Sequence, residues 1–189
     1  MKYADAIKRL NGHRKRIAAI RAKMKKVQAG VAPQPVEDYT LAATDGPVKL
    51  SELFGAKKDL FVIHNMGASC PYCTLWADGF NGLYPHLADR AAFVVASPDA
   101  PKAQKKFAQG RGWRFPMVSH AGTGFAADMG YRSKHGWLPG ISAFRRAAGG
   151  IVRVSDAALH PNDDFCALWH IFDLLPGGPG DWQPRYGYK

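Results

Sequence analysis

The stretch DLFVIHNMGASCPYCTLWADGFNG, residues 59–82, decides the fold. Its first six residues, Asp59 to His64, form a near-continuous apolar run. A central strand covered on both faces has this texture, because neither side meets water. After a short loop, Pro71 to about Leu87 reads as helix. The tetrapeptide Cys70-Pro71-Tyr72-Cys73 therefore stands at a strand-to-helix junction, and open α/β sheets present functional groups at the carboxyl ends of their strands.

The chemistry of that junction follows from helix geometry. Proline suits the first helical position, where its missing N–H costs nothing. Cys70 is then the cap residue, its sulfur facing the unpaired N–H groups of Tyr72 and Cys73. The positive helix end favours thiolate over thiol. In such settings a cysteine pKa falls from about 8.5 to between roughly 3.5 and 7.5. Cys70 is the expected nucleophile, and Cys73, one turn in and more buried, the expected resolving thiol. Such a pair captures a substrate disulfide as a mixed disulfide and resolves it internally. Pro71 and Tyr72 complete the catalytic tetrapeptide.

Working outward, Tyr39–Ala43 and Val48–Leu50 read as short strands around the turn Thr44-Asp45-Gly46. Ser51 can cap a short helix, Glu52–Phe54. Ala91–Ser97 is a second buried strand, Pro101–Gln109 a helix, and Arg114–Ser119 an extended segment. Gly122–Tyr131 holds a short helix or loop. Ile141–Arg146 and Ile151–Ser155, joined by Ala147-Ala148-Gly149-Gly150, form a hairpin. Asn162–Leu174 closes as helix, with Asp163 and Asp164 as its first-turn acids. This order predicts an α/β fold with a mixed central sheet flanked by helices, its first strands parallel through right-handed crossovers. Leu138-Pro139-Gly140 directly precedes a strand. A cis Pro139 there would leave the Leu138 backbone free to pair with an extended substrate. Trp76 and Trp137 flank the two motifs and could line an apolar shelf for it. Asp78, two turns after Cys70, reads as a solvated or capping residue.

The 189 residues are 47% hydrophobic and 22% charged, which suits one soluble domain with an appendage. The net charge of +11 is unevenly placed: residues 1–30 hold ten Lys/Arg and one acid, Asp5. Within them Tyr3, Leu10, Ile17 and Met24 recur every seven residues, with Ala6, His13, Ile20 and Val27 as a second seam. The organisation expected is a basic amphipathic helical arm at 1–30, a stiff Pro-containing linker at 31–35, a domain at 36–176 and a Gly/Pro-rich tail at 177–189. Heptad periodicity suggests a homodimer through the arm. Because the charge belongs to the arm and not the body, nucleic acid is disfavoured as a partner. No run is long enough for a membrane span. Three cysteines are too few for a disulfide scaffold, which points to a reducing, cytoplasmic setting.

Strand, CPYC, helix and a proline before a hairpin together resemble the thioredoxin fold. The tetrapeptide is similar to that of glutaredoxins, and Tyr39–Phe54 resembles the entry of the peroxiredoxin and thiol-reductase branch. Residues 70–82, 112–119, 140–144 and 172–176 together resemble a thioredoxin-like family of unknown function, expected to be dithiol–disulfide oxidoreductases. The resemblance places Cys70 and Cys73 on the family's dithiol and Pro139 where thioredoxins carry a cis proline. It also places His64 where thioredoxins hold a buried acid that takes a proton from the second cysteine. A histidine could serve there. The implied reaction is thiol–disulfide exchange with a disulfide-containing protein or small-thiol substrate. Apart from the redox-active Cys70–Cys73 pair it needs no cofactor, and no metal. A standard peroxiredoxin mechanism is not expected, since Gly67 and Ile63 stand where its Thr or Ser and its Pro belong. Two other readings remain: zinc held by Cys70, Cys73, Cys166 and His170, and a non-catalytic interaction module that uses the basic arm.

Overall fold

The computed structural model describes residues 1–188. It divides into two compact units, Met1–Pro33 and the chain from Gln34 onward. The first is helix α1, Tyr3–Ala29. It starts without a side-chain cap and ends at Gly30, whose N–H returns to the carbonyls of Lys26 and Val27. None of its residues is buried.

The second unit has the thioredoxin-like fold. Strands β1 (Gln34–Val36), β2 (Thr40–Ala43) and β3 (Gly46–Lys49) lead through a 3-10 turn (Glu52–Phe54) into β4 (Asp59–His64) and α2 (Pro71–Arg90). Then come β5 (Ala92–Ser97), α3 (Pro101–Arg111), β6 (Met117–Ser119) and α4 (Phe125–Asp128). The small ribbon β7 (Arg132–Ser133) and β8 (Gly136–Trp137) precedes the long hairpin β9 (Gly140–Ala147) and β10 (Gly150–Ala158), and α5 (Ala167–Phe172) follows. The main sheet runs β1-β10-β9-β4-β5-β6-β2-β3. β4, β5 and β6 are parallel neighbours, and β9 returns antiparallel beside β4.

Alternation along β4 divides the core. Leu60 and Val62 face a cluster with Val94, Val118, Phe125 and Phe144. Ile63 faces the opposite cluster, with Phe93, Val95 and the α2 side chains Trp76, Ala77 and Phe80. Successive strand residues point to opposite faces, so α2 covers one side of β4 while the Phe125 region covers the other.

Three boundaries differ from expectation. The linker assigned to 31–35 is partly strand: β1 pairs antiparallel with β10, Pro35 opposite Val152. Proline is tolerated because β1 is the outermost strand of the sheet. The helix expected from Asn162 begins only at Ala167. Asn162 is left-handed (φ 71°), and the Asp163 carboxylate accepts the N–H groups of Phe165 and Cys166, which holds this stretch in turns. The tail from 177 is not separate from the domain. Trp182 packs edge-on against Trp169 and Phe172, with ring centres 5.8 and 5.0 Å away.

Candidate active site

The loop between β4 and α2 is fixed by hydrogen bonds from four directions. Asn65 N–H donates to Ala96 O (2.8 Å), extending the pairing with β5 by one residue. Gly67 N–H donates to Asn65 Oδ1 (2.8 Å) and Cys70 N–H to Gly67 O (3.1 Å). Ala68 N–H donates to Asp99 Oδ2 (2.8 Å), reaching across from the carboxyl end of β5. Gly67 has φ +107°, and a Cβ there would sit 3.0 Å from the Asp99 carboxylate oxygens. Glycine is needed at that position both for its backbone and for the close approach of Asp99.

This loop delivers Cys70 in extended conformation as the N-cap of α2, with Pro71 in the first turn. Cys70 Sγ accepts the Cys73 N–H at 3.1 Å. Thr74 closes the turn, its N–H and hydroxyl donating to Cys70 O at 3.1 and 3.0 Å. Cys70 is half-buried, whereas Cys73 is buried and its Sγ accepts the Met66 N–H at 3.4 Å. The Cys73 thiol hydrogen-bonds to Cys70 and, with the N–H groups of Cys73 and Tyr72, draws the Cys70 pKa down to about 7 against the cost of burial. Cys73 shifts the opposite way: its hydrogen bond to Cys70, burial and the Cys70 charge hold it firmly as a thiol. One sulfur is prepared as an anion and the other keeps the proton, the division of labour that thiolate attack followed by internal resolution requires.

His64 does not lie where a proton acceptor for Cys73 must be. It is buried on the face of β4 opposite α2, its Nε2 2.9 Å from Ser142 Oγ and its ring stacked on Tyr131 at 4.0 Å. Burial, then repulsion from His120 and Arg153, lowers its pKa to about 3, which makes it a poor base. The even spacing from Leu60 and Val62 explains the error: period-two alternation sends residue 64 to their side.

Trp76 is core and not a substrate shelf; it is buried among the α2 face, its Nε1 3.4 Å from Asp163 Oδ1. Tyr72 is half-buried and stacks on Trp169 at 6.2 Å. Among the described residues every peptide bond is trans, so Pro139 is not cis. The Leu138 N–H is already donated to Tyr131 O (2.9 Å), and Pro139 O accepts the Leu159 N–H (3.1 Å). The Leu138 N–H is therefore spent within the fold. Gly140, the next residue, registers opposite His64, so this segment does lie at the end of the sheet that carries the dithiol loop. Asp78 is not a cap, and its side chain is 35% exposed but not free. It pairs with Arg111 and accepts Trp113 Nε1–H at 2.8 Å, tying α2 to the end of α3. Among the described residues no group of three or more His, Cys, Asp or Glu is gathered as metal ligands. Cys166 stands at the N-cap position of α5 without a side-chain cap hydrogen bond, and His170 lies 3.7 Å from Asp164.

Two contributors were missed. Asp99 was detectable in principle: it follows the carboxyl end of a strand parallel and adjacent to β4, where its side chain must neighbour the loop. Tyr186 was not. Its carbonyl is held by Arg111 (2.5 Å), its ring abuts Phe107, and burial, with the nearby dithiol adding to it, raises its pKa.

Solved structures share this architecture. The peroxidoxin BcpB from Mycobacterium tuberculosis is 27% identical with TM-score 0.57, over 71% of this chain and 88% of that one. Peroxiredoxin Q from Xanthomonas campestris is 21% identical with TM-score 0.55, over 64% and 80%. Reduced Prx3 from Vibrio vulnificus, determined with hydrogen peroxide, is 17% identical with TM-score 0.55, over 70% and 90%. Comparison with curated proteins gives no sequence match. Residues 4–187 match the family described as "Bacterial protein of unknown function (DUF899)".

Proposed function

The chain belongs to the DUF899 family, and we propose that its activity, thiol-based redox chemistry in general terms, is thiol–disulfide exchange at Cys70 and Cys73. The observation that carries this reading is the Cys73 N–H directed at Cys70 Sγ, 3.1 Å away, at the start of α2. The Cys70 thiolate attacks one sulfur of a substrate disulfide, forming a Cys70–substrate bond and releasing the other substrate sulfur as thiolate, which takes up a proton. Cys70 is then neutral, and the charge and hydrogen bond that held the proton on Cys73 are gone. Cys73 gives its proton to solvent, helped by the Met66 N–H, and its thiolate attacks Cys70 Sγ, breaking the Cys70–substrate bond; the second substrate sulfur leaves as thiolate and takes up a proton. The products are a Cys70–Cys73 disulfide and a reduced substrate; an external small thiol or a reductase returns two electrons to the pair. Working thiols of this kind suit a reducing compartment such as the cytoplasm.

Exchange is preferred to a peroxiredoxin-type reaction because a second sulfur stands one turn from the first, while Gly67 and Ile63 offer no hydroxyl or ring at the positions that chemistry uses. The test is the pH dependence of Cys70 alkylation in reduced protein, with mass mapping after oxidation. A midpoint near 7 and a Cys70–Cys73 disulfide are expected. A midpoint near 9 with no such bond overturns the proposal. So does about one zinc per chain with both thiols protected, which would favour a metal site. Activity in an insulin-reduction assay that survives Cys70→Ser would assign the chemistry elsewhere.

No helix of the described residues is long and apolar enough to cross a membrane.

A further inference from the structure

Building on the exchange reaction proposed above, we infer that residues 182–188 form an arch beside the dithiol that selects small-molecule disulfides over the disulfides of folded proteins. After α5 the chain turns back through Gly178 and Gly180, both left-handed. The N–H groups of Gly178, Gly180 and Trp182 return to the carbonyls of Leu175, Gly177 and Pro179. Trp182 then packs edge-on against Trp169, which also stacks on Tyr72 of the CPYC segment, 6.2 Å away. Pro184 is buried. Tyr186 supplies the second anchor: its carbonyl accepts Arg111 Nη1–H at 2.5 Å and its ring meets Phe107 edge-on at 6.3 Å. Arg111 is itself held by Asp78 of α2.

The two anchors bracket Cys70. Trp182 leans, through Trp169, on Tyr72, two residues after it. Tyr186 leans on Phe107, which lines one small cavity with Gly67 and Ala68, just before it. The four residues from Trp182 to Tyr186 reach at most about 14 Å, so the chain between the anchors has little slack to swing clear of the start of α2. Burial raises the Tyr186 pKa and the nearby dithiol adds to it, as a ring beside the two sulfurs requires. A second observation points the same way. A protein disulfide arrives within a peptide chain that gains affinity from main-chain pairing. On the segment before β9 the Leu138 N–H is already donated to Tyr131 O and Pro139 O already accepts the Leu159 N–H. A small disulfide needs neither that pairing nor a wide approach, whereas a folded protein brings its flanking surface into the space the arch fills.

The experiment is single-turnover oxidation of the pre-reduced full chain by bis(2-hydroxyethyl) disulfide or by insulin. The dithiol supplies the two electrons that reduce either substrate to thiols, and the Cys70–Cys73 disulfide is followed by acid quench and mass mapping. Each rate is divided by that of dithiothreitol with the same disulfide, which removes intrinsic reactivity. On this scale the full chain is expected to favour the small disulfide by at least about tenfold, since exchange follows access to the attacking sulfur. Deleting residues 183–189, with Trp182 retained, is expected to remove most of that preference. Tyr186→Ala, which takes away one anchor ring, is expected to lower it by about threefold or more, and carries the test if the deletion does not fold. Tyr186→Phe keeps the ring and should keep the preference. Equal scaled rates in the full chain overturn the inference. So does a preference that Tyr186→Ala leaves unmoved or that Tyr186→Phe abolishes. Failure of both disulfides to oxidise the pair defeats the dithiol reading itself, and this inference with it.

Discussion

His64 Nε2 and Ser142 Oγ meet at 2.9 Å between β4 and β9, on the sheet face turned away from the dithiol helix. The pair ties two central strands, and the ring is stacked between Tyr131 and Phe125. Burial lowers the His64 pKa from 6.5 to about 3. The unfolded chain takes up this proton below pH 6.5, while the folded one does not until about pH 3. Stability from neutral His64 is thus complete above pH 6.5 and lost progressively as pH falls toward 3, with a slope of up to about 1.4 kcal/mol per pH unit. Urea midpoints at pH 7.0, 6.0 and 5.0 should show this slope. His64→Gln, which can still reach Ser142, should remove about one proton's share of it while leaving Cys70 alkylation intact. An unaltered slope in the variant would assign the acid sensitivity to another group, such as buried His120, whose pKa burial also lowers.

Directly opposite His64 in the register is Gly140. The Tyr131 ring occupies the space where a Gly140 side chain would project, and its hydroxyl donates to Ile141 O at 3.0 Å. Gly140→Ala would drive a methyl group into that ring and displace it from His64. Overpacking of this kind costs about 1–3 kcal/mol. On a protein of this size that is a fall in Tm of roughly 2–4 °C per kcal/mol, measurable by calorimetry. The double variant Gly140→Ala/Tyr131→Leu should recover part of the loss.

How far the sequence carries is visible at these same residues. The apolar run of β4, the proline opening α2 and the glycine-rich turn of the hairpin are local signals, and each marks an element found in the fold. Local signals do not report which face a side chain takes once neighbours compete for it. Spacing from Cys70 puts His64 at a thioredoxin position, whereas the pairing of β4 with β9 places it against Ser142. β1 was invisible because three residues with a proline acquire strand geometry only by pairing with β10. The start of α5 moved because the Asp163 side chain captured backbone N–H groups that a helix would have used. The cap at Cys70 was legible because it depends on the order of four adjacent residues. Asp99 was harder to find because its role depends on two strands lying side by side.

Asp99 supplies the next prediction. Its carboxylate accepts the Ala68 N–H (2.8 Å) and lies against Gly67, so it fixes the loop that presents Cys70. Asp99→Ala leaves a half-buried N–H without its acceptor, at a cost of about 1–3 kcal/mol. The loop should loosen and Cys70 should react more slowly in disulfide exchange. Asp99→Asn keeps an oxygen in place and should retain most of the rate. If charge and not position were the contribution, Asn would behave like Ala. Exchange kinetics with a small disulfide, measured beside thermal unfolding, distinguish the two.

The dithiol makes the last prediction. The Cys73 thiol is the foremost contributor to the lowered pKa of Cys70, ahead of the backbone N–H groups. Cys73→Ala removes that donor but leaves the Cys73 N–H, a backbone group, 3.1 Å from Cys70 Sγ. The alkylation midpoint of Cys70 should therefore rise from about 7, by about one unit, without reaching the value of an ordinary thiol. Cys73→Ser, which retains a hydroxyl donor, should give a smaller rise. Both variants should accumulate the mixed disulfide on Cys70, since no second sulfur remains one turn away to displace the substrate. A midpoint unmoved in Cys73→Ala would mean that the helix start alone holds the thiolate. Release of substrate from either variant at the wild-type rate would mean that resolution comes from outside the chain or from Cys166, which is buried and whose pKa burial raises.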